Sequence, residues 1–586
     1  MISNLCKRIF AVSLVLSSLC NTAAAQGTWT YLNNLAPNSN GGVMILLSDG
    51  SVITKTFDGG GDGNGNIWNK LTPDSTGSYV NGTWSTIAPM ADTRTYFSLQ
   101  MLRSGKLYVA GGEYGSGGPR GEVYDPVTDT WTPCGPIDAD DTLVDANSMM
   151  LPDGRVLQSV VNSATLGYGK KVYFYDPITN SYSPAPRVSG DFDESSWVML
   201  PDNSVLFVDI SARSTERYIP AINKWKADAN CPVLLYDIYL QETGPGLLLP
   251  DGRAFFLGAN GKTALYTPSG DSTRGSWTIG PVIPDNNGAP DAPAAMMPDG
   301  NILCSVSPKP HAPDSVFNTP TYFYEYSYAN NAFTAVSSPD GNPYLDFVSC
   351  YTTNFLTLPD GNVMFSAMST DQYAIYTPAG TPLQAWKPAV STVSKKNCEY
   401  MITGTQFNGI SHGASYGDDW QMSTNYPIVR LKAGNRVYYC RTHDWNSSGV
   451  QRGAEPDTAF FAIPAGLPEG TYSLTVSANG IISDAFNFTY QKCNTGVATL
   501  SREQIQLQAM PNPTTSATEI SFSADRAGDY TITVSDIFGR NVLRQEGKAI
   551  EGDNHHVLNM GELTKGVYTA TLIKDRQSYA IKLVRD

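Results

Sequence analysis

The 586-residue chain is 41% hydrophobic and only 16% charged, against roughly 25% charged in an average soluble protein, so it can bury a large core and is not a disordered chain. Its 53 glycines and 38 prolines follow no three-residue period, which excludes collagen, argues against long helices and favours short strands joined by tight turns. A net charge of −15 with no Lys/Arg run excludes a nucleic-acid role, and the length predicts more than one domain.

At the N-terminus, Lys7 and Arg8 precede a mostly apolar stretch, residues 9–19, and the small residues Ala23-Ala24-Ala25. This pattern predicts a signal peptide over residues 1–25, cut after Ala25. Leu19 in front of Cys20 argues against lipid attachment there. No other stretch approaches the roughly 20 apolar residues of a membrane span, so no transmembrane segment is expected.

The middle of the chain is repetitive. Turn units recur at Asp49, Ser104, Asp153, Asp202, Asp251, Asp299 and Asp360, spaced 55, 49, 49, 49, 48 and 61 residues apart. Each unit runs an apolar strand into a Pro-Asp-Gly-like turn, where Pro presets φ and Gly accepts positive φ, and a second strand returns beside the first. A third strand ends in Tyr124-Asp125-Pro126, Tyr175-Asp176-Pro177, Tyr218-Ile219-Pro220, Tyr266-Thr267-Pro268 or Tyr376-Thr377-Pro378, and a fourth carries an aromatic anchor, Trp84, Trp131, Tyr182, Trp225, Trp277 or Phe333. Four strands, seven times, predict a seven-bladed β-propeller over residues 26–387. Trp29 stands in the fourth-strand context ahead of the first turn, so the N-terminal strand is expected to complete the seventh blade.

Beyond the propeller, alternating segments such as Tyr400-Met401-Ile402-Thr403-Gly404 and Tyr472-Ser473-Leu474-Thr475-Val476 predict an Ig-like β-sandwich over 388–490, then a linker over 491–508. Short strands with period-two alternation predict a further small β-sandwich over 509–586, making the fold class all-β throughout. After cleavage seven cysteines remain, and Cys398 with Cys493, which bracket the Ig-like segment, are the first candidate disulfide.

Two resemblances follow from these residues. Pro511-Asn512-Pro513, Gly528-Asp529-Tyr530, Asp536-Ile537-Phe538-Gly539-Arg540, residues 563–568 and Lys582-Leu583-Val584 resemble the C-terminal sorting domain of the type IX secretion system. That resemblance implies a Bacteroidetes-type bacterium, export across the outer membrane and the type IX machinery as a partner of residues 509–586. The propeller and Ig-like segments, residues 27–490, resemble the galactose oxidase and glyoxal oxidase (kelch-like) family, although the kelch double glycine is clear only at Gly111-Gly112. Oxidases of that family carry a copper–radical site built from a Cys cross-linked to a Tyr, a Tyr-His pair and a further His. Counted from the turns, the radical Tyr falls at Asp145, its Cys near Ser98 and the Tyr-His pair at Tyr351-Thr352, while the last His, which follows a Tyr-Gly pair in the Ig-like domain, falls at Gln421 after Tyr416-Gly417. Only Tyr351 survives; Tyr96 matches the radical position one blade early, which restores no histidine. Copper(II) wants imidazole or comparable donors, so copper is not expected and no cofactor is predicted.

The same positions carry other chemistry. Eight residues before the turns stand Gly41, Tyr96, Asp145, Glu194, Thr243, Asp291 and Thr352, and nine before stand Asp193, Glu242 and Tyr351. They precede the innermost strands and should ring one mouth of the central channel. An acidic, tyrosine-flanked pocket can hold a cation such as calcium with hard oxygen ligands, grip a polar glycan, or supply a general acid and base. The expectation is a secreted or surface propeller that binds a glycan or another extracellular ligand at Tyr96, Asp145, Asp193, Glu194, Glu242, Asp291 and Tyr351. The alternative is a carbohydrate-active hydrolase or lyase using those carboxylates, with a copper-radical oxidase third. His311, His412 and His443 are too scattered for a ligand motif, and no nucleophile elbow, Walker loop or Cys-x-x-Cys pair is present.

Overall fold

The computed structural model describes residues 26–39, 41–163, 166–210, 212–368, 371–417, 420–492, 505–574 and 577–586. It divides into two compact units, parted between Tyr490 and Gln491. The expected signal peptide lies outside the described residues.

Seven antiparallel sheets of the first unit repeat one four-stranded pattern, and each is a propeller blade. Their innermost strands are Gly41–Leu46, Ser98–Met101, Ser148–Met150, Val198–Met199, Gly246–Leu248, Pro293–Met296 and Thr353–Thr357, all buried. The turn after each follows one geometry. The amide of Gly50, Gly105, Gly154, Asn203, Gly252, Gly300 or Gly361 donates to the carbonyl three residues earlier at 2.8–3.0 Å. That position is left-handed each time; Asn203, at φ 65°, stands in for glycine because asparagine tolerates the conformation.

The outer strands explain the aromatic anchors. The indole N–H of Trp29, Trp84, Trp131 and Trp277 donates to the carbonyl of Ser337, Asn34, Ala88 and Ala229, at 2.7, 3.0, 2.8 and 2.8 Å. Each acceptor lies just past the outer strand of the preceding blade, so every such Trp staples its blade to its neighbour while half-burying its ring. The third-strand tyrosines lock the hairpin that follows. Tyr124, Tyr175, Tyr218 and Tyr326 donate to Asp129, Asn180, Asn223 and Asn331 at 2.8–2.9 Å, and all four acceptors are left-handed. The strand Thr28–Tyr31 pairs with Ala374–Thr377, so the N-terminal segment supplies the fourth strand of blade seven and closes the ring.

Residues 389–490 form an eight-stranded β-module whose core includes Ile402, Leu431, Ala459, Phe461, Leu474 and Phe488. It caps the turn face of the propeller: Ser448 Oγ donates to Leu151 O at 2.7 Å, Gln451 Nε2 to Leu249 O at 2.7 Å, and the Tyr426 hydroxyl to Leu46 O. A hairpin of this segment, Gly413–Tyr416 and Trp420–Ser423, enters the central channel as a finger. It pairs with the innermost strand of blade six, Pro293 opposite Tyr416 and Ala295 opposite Ala414. Small side chains on both strands permit that approach, and Trp420 and Met422 fill the channel.

The second unit packs a three-stranded sheet (Gln508–Met510, Ala517–Ala524, Gly552–Asn559) and a four-stranded sheet (Gly528–Ser535, Asn541–Ala549, Gly566–Lys574, Gln577–Arg585) around Phe522, Ile532, Leu558 and Leu583. Packing begins before residue 509, since Leu507 is already buried in this core. Cys398 is disulfide-bonded. Its expected partner, Cys493, lies outside the described residues, among which Cys134, Cys231, Cys304, Cys350 and Cys440 are free.

Candidate functional site at the channel mouth

The connection from each outer strand to the next inner strand must cross the mouth and turn down into the channel. At Tyr96, Asp145, Glu194 and Asp291, four equivalent positions, the chain does so through left-handed backbone, with φ of 49°, 43°, 54° and 44°. A side-chain-bearing residue there costs on the order of 1–2 kcal/mol, and such strain concentrates where a site requires it. The consequence is that four polar side chains project over the same opening. Gly41, the equivalent in blade one, admits no side chain, because a Cβ would collide with the Tyr373 hydroxyl. In blade five the Asp237 carboxylate shapes the loop instead, accepting from the amides of Tyr239, Leu240 and Glu242 at 2.7, 3.1 and 2.8 Å. Tyr351 comes from the short 3-10 turn Cys350–Thr352.

These elements enclose a pocket of about 490 Å³. Its carboxylates are Glu113, Asp145, Glu194, Glu242 and Asp291, its phenols Tyr96, Tyr114, Tyr351 and Tyr416, and Leu240 and Phe317 complete the wall. Among the described residues no lysine, arginine, histidine or cysteine lines it. Six of the seven residues singled out in sequence meet here. Asp193 does not line the pocket, but one of its carboxylate oxygens lies within 4.8 Å of oxygens from both Asp145 and Glu194. Glu194, Glu242 and Asp291 form a second trio within the same span, so Glu194 joins the two.

Burial and neighbouring groups keep Tyr96, Tyr114 and Tyr351 protonated. Burial pushes the Tyr96 hydroxyl up, and neighbouring Tyr351, Asp291 and Glu113 add to it. The Tyr114 hydroxyl is raised first by its hydrogen bond to Glu113, then by burial and by Asp145 and Glu242. Tyr351 is raised by burial, then by Asp291 and Cys350. The pocket therefore offers neutral O–H donors and aromatic faces beside a concentration of carboxylate oxygen.

That donor set does not fit a copper–radical centre. Asp145 stands where the radical tyrosine would be. Ser98 is buried in blade two, donating to Ala146 O and accepting from Gln158 Nε2 at 2.9 Å. Gln421, at the finger's second strand, is turned away to donate to Trp197 O at 3.2 Å. His412 is buried at the finger's foot, and His443 contacts Asp444 and Glu399 in the capping module. Hard oxygen donors in groups of three suit calcium-like cations instead.

Sequence counting missed Glu113, Tyr114, Leu240, Phe317 and Tyr416. Glu113 and Tyr114 directly follow Gly111-Gly112, where Gly111 is at φ 75° and a Cβ would collide with Leu143 O; that double glycine was the available signal. Tyr416 reaches the pocket from the finger and packs near-parallel to Tyr96, 6.1 Å between ring centroids.

Residues 508–585 match the secretion system C-terminal sorting domain, and residues 104–136 match the kelch motif. The chain is a kelch-like propeller protein with a type IX sorting tail. Its sorting domain directs type IX export, so this kelch-like protein engages the type IX machinery and is secreted or displayed at the cell surface. Among the described residues no helix is long and apolar enough to cross a membrane.

No curated protein matches the chain. Among solved structures, a fungal alcohol oxidase of the AA5 family in complex with copper is similar at 14% identity over 80% of this chain and 99% of its own, with a TM-score of 0.46. A streptogramin B lyase is similar at 12% identity over 60% and 98%, with a TM-score of 0.42. A catalytically inactive virginiamycin B lyase from Staphylococcus aureus with quinupristin is similar at 11% identity over 60% and 99%, also at 0.42.

Proposed function

We propose that this exported propeller binds a glycan at the acidic mouth, with a hard divalent cation such as calcium held by the two carboxylate trios. The observation that carries the reading is the lining itself. Five carboxylates accept hydrogen bonds from sugar hydroxyls, and four phenols donate to them. Tyr and Phe rings provide apolar faces of the kind that sugar C–H edges cover. Three carboxylate oxygens within 4.8 Å repel one another, and a cation or a proton among them relieves that repulsion. Calcium supplies that charge and leaves coordination positions for ligand hydroxyls.

A second reading rests on the same crowding. If a proton rather than a metal relieves the Glu194–Glu242–Asp291 trio, one carboxyl stays neutral beside an ionised partner, the division of labour that a hydrolase or lyase needs of its general acid and base.

The readings separate in one set of experiments. The purified protein is passed over immobilised neutral, amino- and uronic-acid polysaccharides in calcium and then in chelator, and each eluate is assayed for new reducing ends and unsaturated-sugar absorbance. Retention lost in chelator, with no product, is the expected result. Product formation favours the enzyme reading, and no retention with no product removes both.

A further inference from the structure

The loop of residues 337–352 crosses the mouth face of blade six from the outer strand to Tyr351 on the pocket wall. Within it, Phe347 combines two features that folding does not offset. Its ring is 94% exposed, and its backbone is left-handed at φ 59°, an outlier for a bulky side chain. The segment is firmly held all the same. Thr321 exchanges two backbone hydrogen bonds with Leu345, at 3.1 and 2.9 Å, and its hydroxyl donates to Val348 O at 2.7 Å. Both sides of Phe347 are thus pinned to blade six while the ring is held out in water.

Two further aromatic pairs belong to this loop and to the segments beside it. On the pocket side, Phe317 and Tyr351 lie 4.4 Å apart, and both line the cavity. In the two segments pinned to each other by Thr321 and Leu345, Tyr322 and Tyr344 meet edge to face at 5.4 Å, both half-exposed. Five aromatic rings therefore accompany one loop across the mouth face, and the one at its middle is presented by a strained, tightly fixed backbone. Such strain persists where the surrounding structure over-determines it and where a ligand uses it.

We infer that Phe347, with Tyr344 and Tyr322 behind it, is a stacking track for a polysaccharide chain running outward from the pocket. The ligand class is therefore a long glycan with uncharged sugar faces, and not a free mono- or disaccharide. This rests on the glycan reading of the mouth. A cavity of about 490 Å³ encloses only a short stretch of such a chain, and the remainder has to lie on the surface beside it.

The test takes whichever polysaccharide of the panel is retained, together with its disaccharide, and compares the parent with Phe347→Ala and Phe347→Tyr by equilibrium binding. Because Phe347 is exposed, the thermal midpoints of all three should agree. The track predicts about tenfold weaker polymer binding for Phe347→Ala, unchanged disaccharide binding, and recovery in Phe347→Tyr, which restores a ring. Equal polymer binding by parent and Phe347→Ala overturns the track and leaves the pocket reading standing. An equal loss for polymer and disaccharide also overturns it, since Phe347 would then belong to the pocket. A parent that retains no polysaccharide overturns the glycan reading and the track together.

Discussion

His412 sits at the foot of the finger that enters the channel, 6% exposed, with its carbonyl accepting from the Thr424 amide at 2.6 Å. Burial pushes its imidazole down from 6.5 to about 4. In the unfolded chain the ring takes up a proton below about 6.5; in the folded protein it does not do so until about 4. Between those values the unfolded state binds more protons, so stability is fully present above pH 6.5 and drains away as the pH falls through 4. At ~1.4 kcal/mol per pH unit, the interval corresponds to about 3 kcal/mol. His412→Leu removes this titration while carboxylates elsewhere titrate alike in both proteins, so the quantity to compare is the slope. All 10 tryptophans precede residue 446, so their fluorescence follows the propeller unit alone. Urea unfolding at pH 7.5 and pH 4 should show the parent losing about 3 kcal/mol more than His412→Leu. Identical losses would refute the assignment of a buried neutral imidazole to the finger.

Further outcomes follow from other buried groups. Lys55 is buried, donates to Asn64 O and lies 4.4 Å from the centre of the Phe57 ring, and burial pushes its ammonium down to about 7 despite Asp62 nearby. Here the unfolded chain keeps its proton up to about 10.5, so the cost of burial is complete below pH 7 and is relieved as the pH rises toward 10.5. Lys55→Met should therefore raise the thermal midpoint at pH 6 and do so by much less at pH 10. Arg94, with no exposed side-chain surface, bridges Asp92 at 3.2 Å and Glu122 at 3.0 Å. Asp92 keeps Arg120 at 2.6 Å, but Arg94→Ala leaves the buried Glu122 without its cation and should cost about 3 kcal/mol in urea unfolding. Trp131→Phe removes the indole staple to Ala88 and should cost on the order of 1–2 kcal/mol by the same measurement.

The blades were legible because their punctuation is local chemistry. A Pro-Asp-Gly turn needs its residues within a few positions, so the spacing of Asp153, Asp202 and Asp251 displays the architecture directly. Trp29 betrayed the closing strand for the same reason. The mouth was legible as far as the repeat extends: counting back from each turn finds Tyr96, Asp145, Glu194 and Asp291, and their shared left-handed backbone shows that the repeat fixes conformation as well as position. Where the repeat fails, so does the counting. Tyr416 arrives on a hairpin whose pairing with blade six rests on Ala414, Ser415, Ala294 and Ala295, small residues that leave no periodic trace. Phe317 and Leu240 come from loops of unequal length, and Asp193, adjacent to Glu194 in sequence, contributes to a carboxylate trio without facing the cavity.

The most direct test of the account is an equilibrium titration of the retained polysaccharide in calcium, comparing the parent with the double variant Glu194→Gln, Asp291→Asn. Two carboxylates facing one ligand or its cation should together weaken binding at least about tenfold, with the unfolding transition held within experimental error of the parent's. A double variant that folds normally and binds as tightly as the parent would place the ligand elsewhere on the propeller and contradict the acidic mouth as the binding site.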